Sequence, residues 1–216
     1  DATGHRFGPK SNQTGKAVQE MDRLMGLVLS GVKKTSIYNA LNIIVISDHG
    51  MTEIDSNRVI TLEAYVDLSD IVQEGHGPTS FLYGGDNNRI LRLKEDLMSV
   101  QNISVFLKNE IPERLHYKNH HRIKDLLVLA DEGWSIADVN SSGIAHYSRG
   151  SHGYDNELFS MHAIFLADGP AFKNGYYRDT INNIDIYPLI AHLLQLRPNK
   201  NIDGNLDNVS DILTME

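Results

Sequence analysis

At 216 residues and 41% hydrophobic content, the chain has enough apolar sequence for a sizeable core and is too hydrophobic to be disordered. A net charge of −8 argues against a broad polyanion-binding surface, and the absence of cysteine excludes disulfides, thiolate metal sites and thiol catalysis. No apolar run approaches the roughly 18–20 residues of a membrane-spanning helix.

In chain order, residues 15–39 carry Val18, Met21, Met25, Val28 and Val32 at steps of three or four. This period predicts a helix with its apolar stripe in the core. Residues 41–46 are short, β-branched and almost continuously apolar, which predicts a strand buried on both faces of a sheet. Ser47-Asp48-His49-Gly50 follows at once, at the carboxyl end of that strand, where open α/β sheets bind ligands. Residues 79–83 and 103–106 read as strands with a helix over 88–100 between them, and the stretch from about 74 to 125 reads as a small inserted lobe. Residues 126–130 and 161–167 read as further strands. Asp168-Gly169-Pro170 is a turn, and residues 185–196 form a closing helix that tolerates Pro188 in its first turn. The alternation of helix and strand predicts an α/β fold.

Three short pieces carry the chemistry: Asp1-Ala2-Thr3-Gly4-His5, Asp48-His49-Gly50 and Gly150-Ser151-His152-Gly153-Tyr154-Asp155-Asn156. Imidazole nitrogen and carboxylate oxygen are the donors that zinc takes, and a catalytic zinc keeps one position open beside three protein ligands. Asp1 and His5 are four apart, which puts both side chains on one face of a helical turn; Gly4 leaves helix and turn both open. Asp48 and His49 are adjacent, and Gly50 permits the turn that would let them share a metal. His152 lies between two glycines, in a loop expected to approach something closely. His116, His120 and His121, with Arg114, Lys118 and Arg122, read as a solvated basic face. Asp131 and Glu132 read as a strand end, with Trp134 as core.

These pieces occur with others in a recognisable order. The others are Ile111-Pro112-Glu113-Arg114-Leu115-His116-Tyr117, Ala130-Asp131-Glu132-Gly133-Trp134, Asp168-Gly169-Pro170-Ala171-Phe172 and Ile184-Asp185-Ile186-Tyr187-Pro188-Leu189. On them, the chain resembles the ecto-nucleotide pyrophosphatase/phosphodiesterase family of the alkaline phosphatase superfamily. The resemblance implies an alkaline-phosphatase-like fold with a largely parallel central sheet flanked by helices. It also implies that residues 1–216 are the C-terminal portion of one catalytic domain, incomplete at its N-terminus. Two zinc ions per complete domain are implied, with Asp1, His5 and His152 holding one and Asp48 and His49 contributing to the other. The implied nucleophile is a threonine upstream of these residues, which attacks phosphorus to give a covalent phospho-threonine that water then hydrolyses.

The expected activity is therefore hydrolysis of phosphodiester or pyrophosphate bonds in nucleotides or phospholipid-type head groups, with these residues alone inactive. The expected partner is a small-molecule phosphodiester, not a nucleic-acid polymer, and a membrane anchor would lie outside these residues. Two alternatives stand beside this reading: an inactive extracellular binding module of the same fold, and a phosphomonoesterase of the same superfamily. Sequons at Asn12, Asn102, Asn140 and Asn208 suit an extracellular or cell-surface glycoprotein, while the absence of cysteine suits a periplasmic one equally.

Overall fold

A computed structural model describes residues 1–137 and 148–214. The sequon at Asn140 and His146 lie outside the described residues. Among the described residues, four helices and ten strands alternate: α1 (Ala2–Phe7), α2 (Asn12–Val32), β1 (Ile43–Ile46), β2 (Thr52–Glu53), β3 (Val59–Ile60), β4 (Val72–Glu74), β5 (Thr79–Tyr83), α3 (Asn87–Leu97), β6 (Ile103–Leu107), β7 (Leu126–Ala130), β8 (Ser135–Ile136), β9 (Gly150–Ser151), β10 (Phe165–Asp168) and α4 (Ile186–Leu193). The chain divides into two compact units, one of residues 1–22 and 49–162 and one of residues 23–48 and 163–216.

The first unit is built on an antiparallel sheet in the order β4-β5-β7-β6. Successive side chains of a strand point to opposite faces, and both faces of this sheet are covered. Leu82, Leu126 and Val128 face one core with Ile90, Leu93 and Leu97 of α3. Leu127, with Phe81 and Phe106, faces a second, smaller core with Ile111 and Ile123. The helix α3 forms where Asp86 caps it, its carboxylate accepting from the Arg89 amide at 2.8 Å. Its buried residues then recur at helical spacing. Two further pairings complete the unit: β3 with β8, parallel, and β2 with β9, antiparallel.

In the second unit β1 pairs antiparallel with β10, from Ile43 opposite Asp168 to Ile46 opposite Phe165. Leu189 of α4 is fully buried with Phe172, Val209 and Ile212, and Ile44, Phe165 and Ala167 pack against them. The buried Asp185 carboxylate accepts from the Asn205 amide at 2.8 Å and from Asn208 Nδ2 at 3.2 Å, so its burial is compensated.

Three expectations change here. The strand expected at residues 41–46 to be buried on both faces is half-buried with an exposed Ile46, and it pairs antiparallel with β10; among the described strands β3 and β8 run parallel. An apolar run of four residues fits either kind of strand, and β-branched composition does not tell them apart. The stripe of α2 does not lie in a core: no residue of this helix is buried, and Val18 and Met21 are more than half exposed. Amphipathic periodicity specifies a helix but not what covers it. The helix also stops at Val32, seven residues short of the expected end.

Candidate metal centre

The first pair of candidate ligands, Asp1 and His5, is delivered by α1. Asp1 is its N-cap, and the His5 amide donates to the Asp1 carbonyl at 3.1 Å, closing a regular helical turn. Of the two local geometries the sequence left open, the helix forms, and Gly4 is its buried residue. A Cβ on Gly4 would sit 2.5 Å from Met51 Sδ. Spacing of four on this helix brings His5 Nε2 to 3.2 Å from Asp1 Oδ1.

The third residue comes from the other end of the unit. After β9, His152 Nε2 lies 3.7 Å from the same Asp1 oxygen, and the His5 and His152 rings are 5.0 Å apart. One donor atom from each of Asp1, His5 and His152 lies within 4.8 Å of the others. The loop reaches this position because β9 passes close under α1. A Cβ on Gly150 would fall 2.6 Å from the Gly4 carbonyl oxygen, so a side chain there has no room. Gly153 serves differently: its φ of 98° is left-handed backbone, and nothing stands closer than 4.0 Å to where its Cβ would be. The expected close approach is thus made by Gly150, one side of the histidine, while the other glycine supplies conformation.

His49 joins the group by its ring, stacked on His152 with centroids 3.4 Å apart and planes 14° from parallel. Gly50 beside it is a close-approach position, since a Cβ would lie 2.1 Å from the Ser160 carbonyl oxygen. Asp48 belongs to the second unit, two residues beyond the end of β1.

The protonation pattern suits a cation. His5 Nδ1 is 2.8 Å from the Gly150 carbonyl oxygen, and His49 Nδ1 is 2.8 Å from its neighbour's, that of Gly50. A carbonyl only accepts, so each Nδ1 carries a hydrogen, and in the neutral tautomer the lone pair is on Nε2. For His5 that lone pair faces the Asp1 carboxylate, another acceptor. Two acceptors at 3.2 Å repel unless positive charge sits between them, either a proton on the imidazole or a metal ion. A carbonyl that fixes the tautomer from behind is the usual accompaniment of a ligating histidine.

Around the cluster, the Asp155 carboxylate is gripped by Arg114 at 2.7 and 2.5 Å, and this guanidinium holds the carboxyl below the usual carboxylate range. The buried Tyr154 donates to the Trp134 carbonyl at 2.7 Å, and burial pushes its phenol up to about 12. The basic stretch is less free than expected. Arg114 is committed to Asp155, Lys118 pairs with Glu113, and Lys108 donates to the His120 carbonyl at 2.6 Å. Asp131 and Glu132 do end a strand, with the Trp134 amide closing the turn onto the Asp131 carbonyl at 3.0 Å. From the sequence alone, Arg114 reads as part of a solvated basic face. Only the Arg-carboxylate fork, formed across 41 residues, reveals its tie to the His152 loop.

Residues 1–155 match the family model described as type I phosphodiesterase/nucleotide pyrophosphatase. The chain is 37% identical over 216 residues to the bis(5'-adenosyl)-triphosphatase of Xenopus laevis, covering 99% of this chain and 46% of that protein. Its fold matches the solved structure of human ectonucleotide pyrophosphatase/phosphodiesterase 5 with a TM-score of 0.89 at 36% identity, over 100% of this chain and 56% of that one. The murine counterpart, solved as an inactive threonine-to-alanine variant in complex with AMP, matches with a TM-score of 0.88 at 37% identity, over 99% of this chain and 56% of that one. The chain therefore spans about half the length of the relatives it matches. The fold is of the α/β, alkaline-phosphatase-like class, and the chain belongs to the type I phosphodiesterase/nucleotide pyrophosphatase family.

Proposed function

We propose that this chain carries part of the metal centre of a two-zinc hydrolase that cleaves phosphodiester or pyrophosphate bonds in nucleotides. The observation that carries the reading is the convergence of Asp1, His5 and His152 on a single point, with the His5 lone pair turned toward it by the Gly150 carbonyl. Asp1, His5 and His152 would hold one zinc, and Asp48 and His49 would contribute to the second. Bound zinc supplies Lewis-acid stabilisation of the charge that builds on phosphoryl oxygens. The remaining work belongs to the chain. The Gly150 carbonyl fixes which nitrogen of His5 is presented, and that of Gly50 does the same for His49. The stack of His49 on His152 gives the two ligand sets a common wall.

In this reading the attacking group is a threonine that lies outside residues 1–216: its oxygen bonds to phosphorus as the alcohol or phosphate leaving group departs, and water then releases the phosphoryl ester from the threonine. Residues 1–216 then bind metal without turnover and form the C-terminal portion of the catalytic domain, with 74–125 as an inserted lobe. Support for a nucleotide substrate comes from the relatives, one named for a bis-adenosyl triphosphate and one solved with AMP. The sequons favour an extracellular or cell-surface location, and the absence of cysteine suits a periplasmic one equally.

The test uses the full-length gene product, assayed for zinc by atomic absorption and for turnover with a chromogenic nucleotide diester. Chelation should abolish hydrolysis, and added zinc should restore it. His152→Ala should lose about one zinc equivalent and more than about 100-fold in rate, since removing even an outer partner of a ligand costs 10–100-fold. Diesterase activity that survives exhaustive chelation would overturn the proposal.

A further inference from the structure

The loop that carries His152 is held from several sides by residues for which the metal centre gives no role. Thr79 Oγ1 donates to the Gly153 carbonyl at 2.9 Å, and Tyr154 donates to that of Trp134 at 2.7 Å. The strongest tie is Arg114. Its Nη1 donates to Asp155 Oδ1 at 2.7 Å and to Asn156 Oδ1 at 2.8 Å, and its Nη2 donates to Asp155 Oδ2 at 2.5 Å. Its Nε lies 3.4 Å from Glu157 Oε1. One guanidinium thus grips three successive side chains. Asp155 also accepts from the Glu157 amide at 2.9 Å, so the gripped carboxylate is the one that closes the turn after the histidine.

The local sequence presents this arginine. Ile111, 1% exposed, and Leu115 are anchored in the smaller core, and Pro112 opens the turn Glu113–Leu115 between them. Arg114 projects from that turn with its backbone fixed on both sides. On the metal side, Ser151 is paired with Thr52 in β9 and β2. Only His152, Gly153 and Tyr154 lie between that pairing and the Arg114 grip. Gly153 is the residue in this span with left-handed φ, and so its most permissive joint. The Arg114 grip closes the span on the far side of this joint, as the Ser151–Thr52 pairing closes it on the near side.

We propose that Arg114 is a positioning residue for the metal ligand His152, acting through Asp155 and Asn156 to set the distance between His152 and the Asp1–His5 pair. The inference rests on the metal-centre reading above. A bidentate arginine-carboxylate fork is directional, so it fixes orientation as well as position. Both partners are about one-third exposed, so the pair adds little to global stability. Its effect is confined to the loop.

The experiment measures zinc retained by the full-length gene product against a graded competing chelator, alongside thermal unfolding of the metal-free protein. Arg114→Ala should release one zinc equivalent at about 10- to 100-fold lower chelator activity. That equivalent should be the one missing in His152→Ala, and the metal-free unfolding temperature should barely move. Arg114→Lys keeps the charge without the fork and should recover only part of the retention, and it serves if the alanine variant does not fold. Retention in both variants indistinguishable from the unaltered protein overturns the inference while leaving the metal centre standing. Zinc loss that merely tracks a fall in metal-free unfolding temperature also overturns it, because the role would then be general stability. If the unaltered protein holds no zinc, the metal-centre reading fails first and this inference with it.

Discussion

Adding one methyl group at Gly150 should separate the strand that leads to His152 from the helix that bears Asp1 and His5. The new Cβ would stand 2.6 Å from the Gly4 carbonyl oxygen, 2.7 Å from Met51 Sδ and 3.0 Å from Pro9 Cδ. Ordinary contact begins at 3.4 Å, so the first of these is about 0.8 Å too short. Met51 can swing its flexible end aside. The Gly4 carbonyl cannot, because it belongs to α1 and already accepts the Gly8 amide at 2.8 Å. The strand and helix must therefore part, stretching the 2.8 Å contact from His5 Nδ1 to the Gly150 carbonyl. Overpacking of this kind costs about 1–3 kcal/mol. Metal sites tolerate errors of only about 0.2 Å in ligand distance, so zinc affinity should fall more steeply than stability. Gly150→Ala is read by urea unfolding of the metal-free protein and by chelator competition for zinc. Gly15→Ala is the internal comparison. It makes the same chemical change inside α2, where nothing lies within 4 Å, and should stabilise by about 0.5–1 kcal/mol. If Gly150→Ala leaves both unfolding and zinc affinity unchanged, close passage of β9 under α1 does not set the ligand spacing.

Tyr154→Phe removes a buried phenol whose proton is held to about pH 12. The group is neutral in the folded protein and titrates near 10 when unfolded, so its contribution is complete below pH 10 and drains away between 10 and 12. The variant should be about 0.5–1.5 kcal/mol less stable at pH 7 through loss of the Trp134 hydrogen bond. That deficit should shrink as pH approaches 11, and a gap constant across this range in urea titrations would contradict the assignment. Leu93→Ala, at a fully buried position of α3, should cost about 2–5 kcal/mol. Leu91→Ala, on the exposed side of the same helix, should stay within about 0.5 kcal/mol by the same assay.

The parts of the site that could be read from sequence are those in which local constraint and chemistry coincide. The spacing of Asp1 and His5 is a helical property, and α1 realises it. The glycines flanking His152 announced a close approach, and Gly150 is where a Cβ would strike backbone; Gly50, read from sequence only as permitting a turn, is a second such position. The strands at 79–83 and 126–130 appear at the expected bounds because their alternation or continuous apolarity matches a sheet with two covered faces. What sequence could not supply were the long-range partners. Nothing near Arg114 points to Asp155, and nothing near residues 43–46 distinguishes an antiparallel from a parallel neighbour. The apolar stripe of α2 shows the same limit, since its period is encoded locally and its covering is not.

The contact between His5 and Gly150 spans 145 residues of chain. Whatever joins His5 to His152 therefore closes a very large ring, and bridging such distant points restricts the unfolded chain far more than a local clip would. Contacts of this sequence separation also form late, after nearby pairings have accumulated. A metal ion held by Asp1, His5 and His152 would thus act as a clasp between the two ends of the first unit, tying residues that the chain itself keeps far apart.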